Sequence, residues 1–242
     1  MPAFLEDITP FLGTGEKNED GLTLAEFLEE YDPYHYKNPS VTADILVFLC
    51  PKELFSNGTA DIRNQLKILM VKRRNHPSIG CWALPGGFVN VEEDLETAAK
   101  RELEEETGLT GVNIEMVTTY GEADRDPRGR IITSSFVALV DESAAKVQAG
   151  DDAADAAYVD VNMEKTGEMV ENRDGKEKRI ETFSLHLTCE EKEIDLYATV
   201  ERLVNAKGIL KEEHFRVTEN DGIAFDHPRF IVQSLLYIEG LL

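Results

Sequence analysis

The sequence is short of cysteine, of basic residues and of long apolar runs, and each scarcity removes a class of protein. Its three cysteines, Cys50, Cys81 and Cys189, are odd in number and far apart. They form neither a disulfide framework nor a CxxC metal knot, which fits a reducing cytoplasm. No stretch of about 18 apolar residues occurs, and the opening "MPAFLEDITPFLGTGEKNEDG" has no basic segment ahead of an apolar core, so neither a membrane span nor a signal peptide is expected. Lys and Arg number 25 against 47 acidic residues, a formal net charge of −22. Phosphate-rich polymers and anionic lipid need clustered cations, so nucleic acid and membrane are excluded as general partners. An anionic small molecule must be met by a local basic patch or by bound cations.

What is present suffices for a core: 42% of the 242 residues are hydrophobic, with no internal repeat and no low-complexity linker. "GLTLAEFLEEYDP" carries a capping box, Thr23 with Glu26, ahead of Leu24, Phe27 and Leu28 at helical spacing, and Pro33 stops it. "SVTADILVFLC" (40–50) and "QLKILMVKR" (65–73) read as strands joined by a long loop with an Asn57-Gly58 turn. A strong helical pattern runs from Asp94 to Thr107, closed by Gly108 where a left-handed cap is wanted. Strand signals return in "VNIEMVTTYGE" and "RIITSSFVALV", flanking the charged loop "ADRDPRG". These elements predict an α/β fold, with an amphipathic helix on a mixed sheet. From Val161 the chain turns polar, and Leu185 and Leu187 answered by Ile194 and Leu196 predict a β-hairpin. A final helix is expected with Asp226 as cap, Pro228 in its first turn, and Ile231, Leu235, Leu236 and Ile238 on or near one face. The expected organisation is an N-terminal arm (1–39), a core (40–160), an insertion (161–222) and a closing helix (223–242) of the same domain.

The helix holds an oddity. "KRELEEETGL" places Glu102, Glu104, Glu105 and Glu106 near the helix C-terminus, where carboxylates repel one another and oppose the macrodipole. At about 100° per residue, Leu95, Ala98 and Ala99 fall within about 60° of Glu102, as do Glu105 and Glu106, whereas Glu104 lies on the far side. Three glutamates therefore continue the apolar stripe. Clustered part-buried carboxylates need positive charge, either Arg101 or a divalent cation. An all-oxygen cluster suits a hard ion such as Mg²⁺ or Mn²⁺.

"GFVNVEEDLETAAKRELEEETGL", 87–109, resembles a complete Nudix box, matching at Gly87, Glu93, Arg101, Glu102, Leu103, Glu105, Glu106, Gly108 and Leu109. The resemblance implies a Nudix fold, a mixed β-sheet sandwiched between helices, here with the β-hairpin insertion near the C-terminus. It implies hydrolysis of a nucleoside diphosphate derivative with Glu102, Glu105 and Glu106 holding Mg²⁺ or Mn²⁺, Arg101 orienting a box glutamate, and Glu93 supporting the loop and helix. The Gly86-Gly87 backbone is then expected close to metal and phosphates. Phosphoryl transfer needs charge neutralisation and an activated water more than a protein nucleophile. Glu105 is the first candidate for the base, with Asp151 or Asp152 of "AGDDAAD" as the alternative.

"GEADRDPRGRIITSSFVALV" resembles the matching segment of ADP-ribose pyrophosphatases and of Nudix-related regulators of NAD metabolism. Arg125, Arg128 and Arg130 are therefore expected on the substrate, the rival being internal ion pairs with Asp124 and Asp126. Arg73 and Arg74 are further phosphate candidates, and Arg74 is expected on the substrate beside Gly87. "SVTADILVF", "WALPGGFV" and "IAFDH" extend the likeness to the regulators, although a winged helix after the last motif is not expected here. ADP-ribose is the leading substrate, and a non-catalytic ADP-ribose sensor acting through a protein partner is the alternative. Trp82, Tyr34 and Tyr36 are read as packing residues and His227 as part of a helix start. A homodimer is expected from the resemblance alone.

Overall fold

The computed structural model describes residues 4–51, 64–141, 153–173, 176–205 and 212–241. The expected Asn57-Gly58 turn and Asp151 and Asp152 lie outside the described residues. Two compact units emerge, Met1–Pro39 and Ser40–Leu242. In the first, helix α1 (Leu24–Glu30) starts at Thr23 with both bonds of the capping box: Glu26 N–H donates to Thr23 Oγ1, and Thr23 N–H donates to Glu26 Oε2 at 2.8 Å. Tyr34 and Tyr36, expected to pack, are instead exposed.

The second unit is built on one mixed sheet. Its strands are β1 (Ser40–Cys50), β2 (Lys67–Arg73), β3 (Trp82–Ala83), β4 (Gly86–Phe88), β5 (Glu115–Tyr120), β6 (Ile131–Asp141), β7 (Ala153–Arg173), β8 (Lys176–Cys189), β9 (Ile194–Asn205) and β10 (Glu213–Asp221). The order across the sheet is β10-β9-β8-β7-β2-β1-β6-β5, with β3 on β2 and β4 on β1. β1 and β6 run parallel, and the other pairings are antiparallel. β1 and β2 are central and buried on both faces, which is why "DILVFLC" and "ILMV" are continuous apolar runs rather than alternating ones. Because side chains alternate along a strand, β1 splits its residues. Ala43, Ile45 and Val47 meet Ala99 and Leu103 of helix α2 (Leu95–Thr107). Leu46, Phe48 and Cys50 join the cluster that holds Phe230, Ile231, Leu235 and Ile238 of helix α3 (His227–Leu241). The sheet is thus covered by α2 on one face and α3 on the other. Each fully buried Ile, Leu or Phe of α3 contributes about 1.5–3 kcal/mol. Trp82 packs in the α3-side core, as expected.

The C-terminal insertion is larger than one hairpin. Leu187 does pair with Leu196 and Cys189 with Ile194, but β8 and β9 are two strands of a four-stranded meander from β7 to β10. The expected division at 160/161 falls inside β7, whose first part pairs with β2 and whose remainder pairs with β8. Beyond Lys165 most of β7 is exposed on both faces, so it carries no alternation for sequence reading to detect. All three cysteines are free. Among the described residues no helix is long and apolar enough to cross a membrane.

Candidate active site

The site begins where β4 lies against β1. Gly86 pairs with Asp44 and Gly87 with Ala43, and neither position has room for a side chain. Gly86 has φ +153°, and a Cβ there would stand 2.3 Å from the Ala43 carbonyl oxygen. A Cβ on Gly87 would stand 2.4 Å from the Glu102 carboxylate. Glu106 reaches the same turn from the next helical position on that face, accepting the Gly86 N–H at 2.9 Å. α2 ends at Gly108 in the left-handed conformation, φ 72°.

Arg101 organises the outer side. Its guanidinium donates to Glu93 at 2.6 and 3.1 Å, to Glu102 at 2.7 Å, to Glu105 at 3.0 Å and to the Phe88 carbonyl at 3.0 Å. Glu93 in turn accepts the Asn90 N–H at 2.7 Å, tying the loop before α2 to the helix, and the Arg101 contact holds its carboxyl down at about 2. Arg101 itself is raised by Glu93 and Glu102.

The three box glutamates do not share one environment. Glu102 and Glu106 are part-buried as the helical wheel predicts, whereas Glu105 is exposed, with 59% of its side chain in water, and turns outward to Arg101. The wheel places Cα directions, and a long side chain follows its nearest cation. Burial pushes Glu106 up to about 7 against the opposing Gly86 N–H, and burial raises Glu102 against the pull of Arg101. Among the described residues no group of three or more His, Cys, Asp or Glu side chains is arranged to hold a metal ion.

Facing the glycines is a cavity of about 70 Å³, lined by Asp44, Arg73, Arg125, Arg128, Phe225 and His227 among others. Arg128 lies between two rings, its Cζ 5.2 Å from the Phe88 centroid and 5.6 Å from that of Phe225, and Arg73 stacks on Phe225 at 4.9 Å. Arg73 is lowered first by burial and then by the charge of Arg128. Two guanidinium groups are therefore held together in a part-buried cavity that favours an anion. Of the internal ion pairs considered, Arg128 with Asp126 forms at 2.8 Å, whereas Arg125 pairs not with Asp124 but with Asp226, at 2.9 Å. Arg74 is exposed and does not line the cavity, its neighbour Arg73 does, and Arg130 donates to the Glu122 carbonyl at 3.1 Å.

Sequence reading missed Asp44 and took His227 for a helix start only. His227 does open α3, yet its ring is buried in the cavity wall. Nδ1 accepts the Leu84 N–H at 3.0 Å, burial lowers its pKa, and Nε2 lies 3.8 Å from Asp44 Oδ1. The neutral ring therefore carries its proton on Nε2. Asp44 also accepts a hydrogen bond from the Thr133 hydroxyl. Asp226, expected as the helix cap, uses its carboxylate on Arg125 and Arg229 instead. A polar residue inside the run "TADILVF" was the signal for Asp44.

A NUDIX domain model matches residues 58–181. The chain belongs to the Nudix family. It is 46% identical over 101 residues to an ADP-ribose pyrophosphatase of Methanocaldococcus jannaschii, covering 42% of this chain and 59% of that protein. It is 37% identical over 124 residues to the ADPR responsive transcriptional repressor NtrR of Acinetobacter baylyi, covering 50% of this chain and 45% of the repressor. The match thus spans less than two thirds of either relative. The crystal structure of a MutT/nudix family protein from Enterococcus faecalis is similar with a TM-score of 0.59 at 30% identity, covering 90% of this chain and 70% of that one. That likeness reaches beyond the residues matched by the domain model.

Proposed function

We propose that this Nudix protein is a metal-dependent pyrophosphatase acting on a nucleoside diphosphate derivative, with ADP-ribose hydrolysed to AMP and ribose 5-phosphate as the leading reaction. The observation that carries this reading is the facing of Arg73, Arg125 and Arg128 across a small cavity from a glycine turn backed by Glu102 and Glu106. The similarity to an ADP-ribose pyrophosphatase supports the choice of substrate.

The residues fit Mg²⁺ or Mn²⁺ in kind. Their donors are all oxygen, and Glu106, whose carboxyl burial pushes up to about 7, forms no ion pair among the described residues. Glu102, Glu106 and the Gly86 carbonyl would hold the ion, with Glu105 joining if it turns from Arg101. When bound, the ion supplies charge neutralisation and a water of lowered pKa. The chain's own groups do the rest. Arg73, Arg125 and Arg128 hold the diphosphate, Gly87 lets its backbone approach the phosphates, and Arg101 and Glu93 fix the helix against the loop. Glu105 is the candidate to accept the water's proton.

A second reading is favoured by the similarity to a repressor and by the absence of a ready three-acid cluster among the described residues: an ADP-ribose sensor without turnover. Incubation with ADP-ribose, NADH, dinucleoside polyphosphates and oxidised nucleotides plus Mg²⁺ or Mn²⁺, scored for products, separates the two. Release of AMP and ribose 5-phosphate is expected. Tight ADP-ribose binding with no turnover on any of these would select the sensor.

A further inference from the structure

The cavity of about 70 Å³ beside the glycines is too small for a whole nucleoside diphosphate derivative and suits only its phosphates, whereas pockets for whole small ligands measure roughly 300–1,000 Å³. A second cavity, about 380 Å³, lies on the other side of a shared wall: Arg125 and Phe225 line both. Its far side is β10, the edge strand of the sheet, which contributes His214, Arg216 and Val217. Among the described residues the outer side of this strand has no strand partner, and the Phe215 carbonyl accepts from Arg229 at 3.4 Å. Edge-strand backbone of this kind offers donors and acceptors to whatever lies beside it.

The charges lining the second cavity balance. Arg125, Arg216 and Arg229 line it together with Glu122, Asp124 and Asp226, and the arginines are already paired: Arg229 with Glu122 at 2.7 and 2.9 Å, Arg125 with Asp226 at 2.9 Å, and Arg216 with Glu201 of β9 at 3.0 Å. A wall of matched charges rich in carboxylate oxygens suits hydroxyl and exocyclic amino donors and gives no net attraction to another phosphate. The first cavity differs, because Arg73 and Arg128 crowd there.

Taking the pyrophosphatase reading as its basis, we propose that the second cavity is the subsite for the uncharged ribosyl or nucleoside arm of the substrate. The last strand of the C-terminal meander, with His214 and Arg216, then acts as a specificity wall. The meander would thereby decide which diphosphates are accepted, while the Nudix box carries out the cleavage. The half-exposed His214 and Arg216 side chains are free to change without touching the glutamates of α2.

The test compares the wild type with His214→Trp, which narrows the cavity, and Arg216→Ala, which keeps the proposal testable should the first variant fold poorly by circular dichroism. ADP-ribose and inorganic pyrophosphate are titrated calorimetrically in EDTA, and ADP-ribose turnover is followed separately with Mg²⁺. Expected are an ADP-ribose Kd and KM raised at least tenfold in His214→Trp and at least threefold in Arg216→Ala. Pyrophosphate affinity and kcat should stay within twofold. Unchanged ADP-ribose affinity and KM in the folded variants overturns the subsite, as does an equal loss for pyrophosphate, and a wild type that neither binds ADP-ribose in EDTA nor turns it over with Mg²⁺ overturns both readings. Binding that weakens as expected in a protein without turnover removes the pyrophosphatase and leaves the subsite standing.

Discussion

Gly86 and Gly87 stand next to each other and fail differently when a methyl group is added. At Gly86 the added carbon meets backbone, the Ala43 carbonyl oxygen at 2.3 Å, in a positive-φ conformation. Gly86→Ala should lower stability by about 2–3 kcal/mol, measured by urea unfolding. At Gly87 the obstacle is the end of a flexible side chain, Glu102. Gly87→Ala should cost less than about 1 kcal/mol yet displace that carboxylate. Turnover should then fall on the order of a hundredfold, because ångström-scale misplacement is that costly. Equal stability losses in the two variants would contradict the geometry. Glu106→Gln should lower turnover by at least about a hundredfold with the fold intact, and unchanged turnover would remove this carboxylate from the site.

At the scale of the element, α2 carries electrostatic strain that metal should relieve. In the metal-free protein Glu106 titrates near 7, above its ordinary value of 4.5, because burial disfavours its charged form. A raised folded-state value means stability fully present below about 4.5 and lost as pH rises through about 7, on the order of 3 kcal/mol in all. The Tm of the metal-free protein should therefore fall between pH 5 and pH 8. In Glu106→Gln that part of the slope should vanish. Mn²⁺ at pH 8 should raise the wild-type Tm and leave the variant's nearly unmoved, as differential scanning fluorimetry would report.

At the scale of the whole second unit, Arg229 links three parts of the chain. Its buried guanidinium, on α3, joins Glu122 from the loop after β5 and Asp226 before the helix, and reaches the Phe215 carbonyl on β10. Arg229→Ala leaves the part-exposed Glu122 without its arginine, while Asp226 keeps Arg125, and should cost about 1–3 kcal/mol, read from chemical denaturation. The pairing has an acid limit. Glu122 is held at about 2 chiefly by its hydrogen bonds from Arg229. A depressed folded-state value means stability present above about 4.5 and lost as pH falls through about 2. The wild type should lose stability over that range more steeply than Arg229→Ala, in which Glu122 no longer has its cation. The homodimer suggested by family resemblance remains a proposal at this scale, and light scattering showing a monomer at micromolar concentration would refute it.

Local pattern was enough for β1, whose bounds at 40–50 match the apolar run, for α2, whose stripe and glycine cap both lie in "LETAAKRELEEETG", and for the box residues Glu93, Arg101, Glu102 and Glu106. Such signals are short-range, set by side-chain periodicity and capping within one element. Tertiary structure decided the rest. Asp44, Arg73, Phe225 and His227 meet only because β1, β2 and the turn before α3 converge at the glycines; a polar residue in an apolar run and an arginine after a strand mark Asp44 and Arg73 singly, but not that they meet. Glu105 turned outward because Arg101 lies there, a competition between cation and apolar stripe that the helical wheel does not weigh. The meander was undercounted because exposed strands bury too little to alternate. Sequence alone determined the family and the charge pattern of the helix; packing across the sheet determined which arginines, which histidine and which strand stand around it, because long-range contacts, not local propensity, fix those distances.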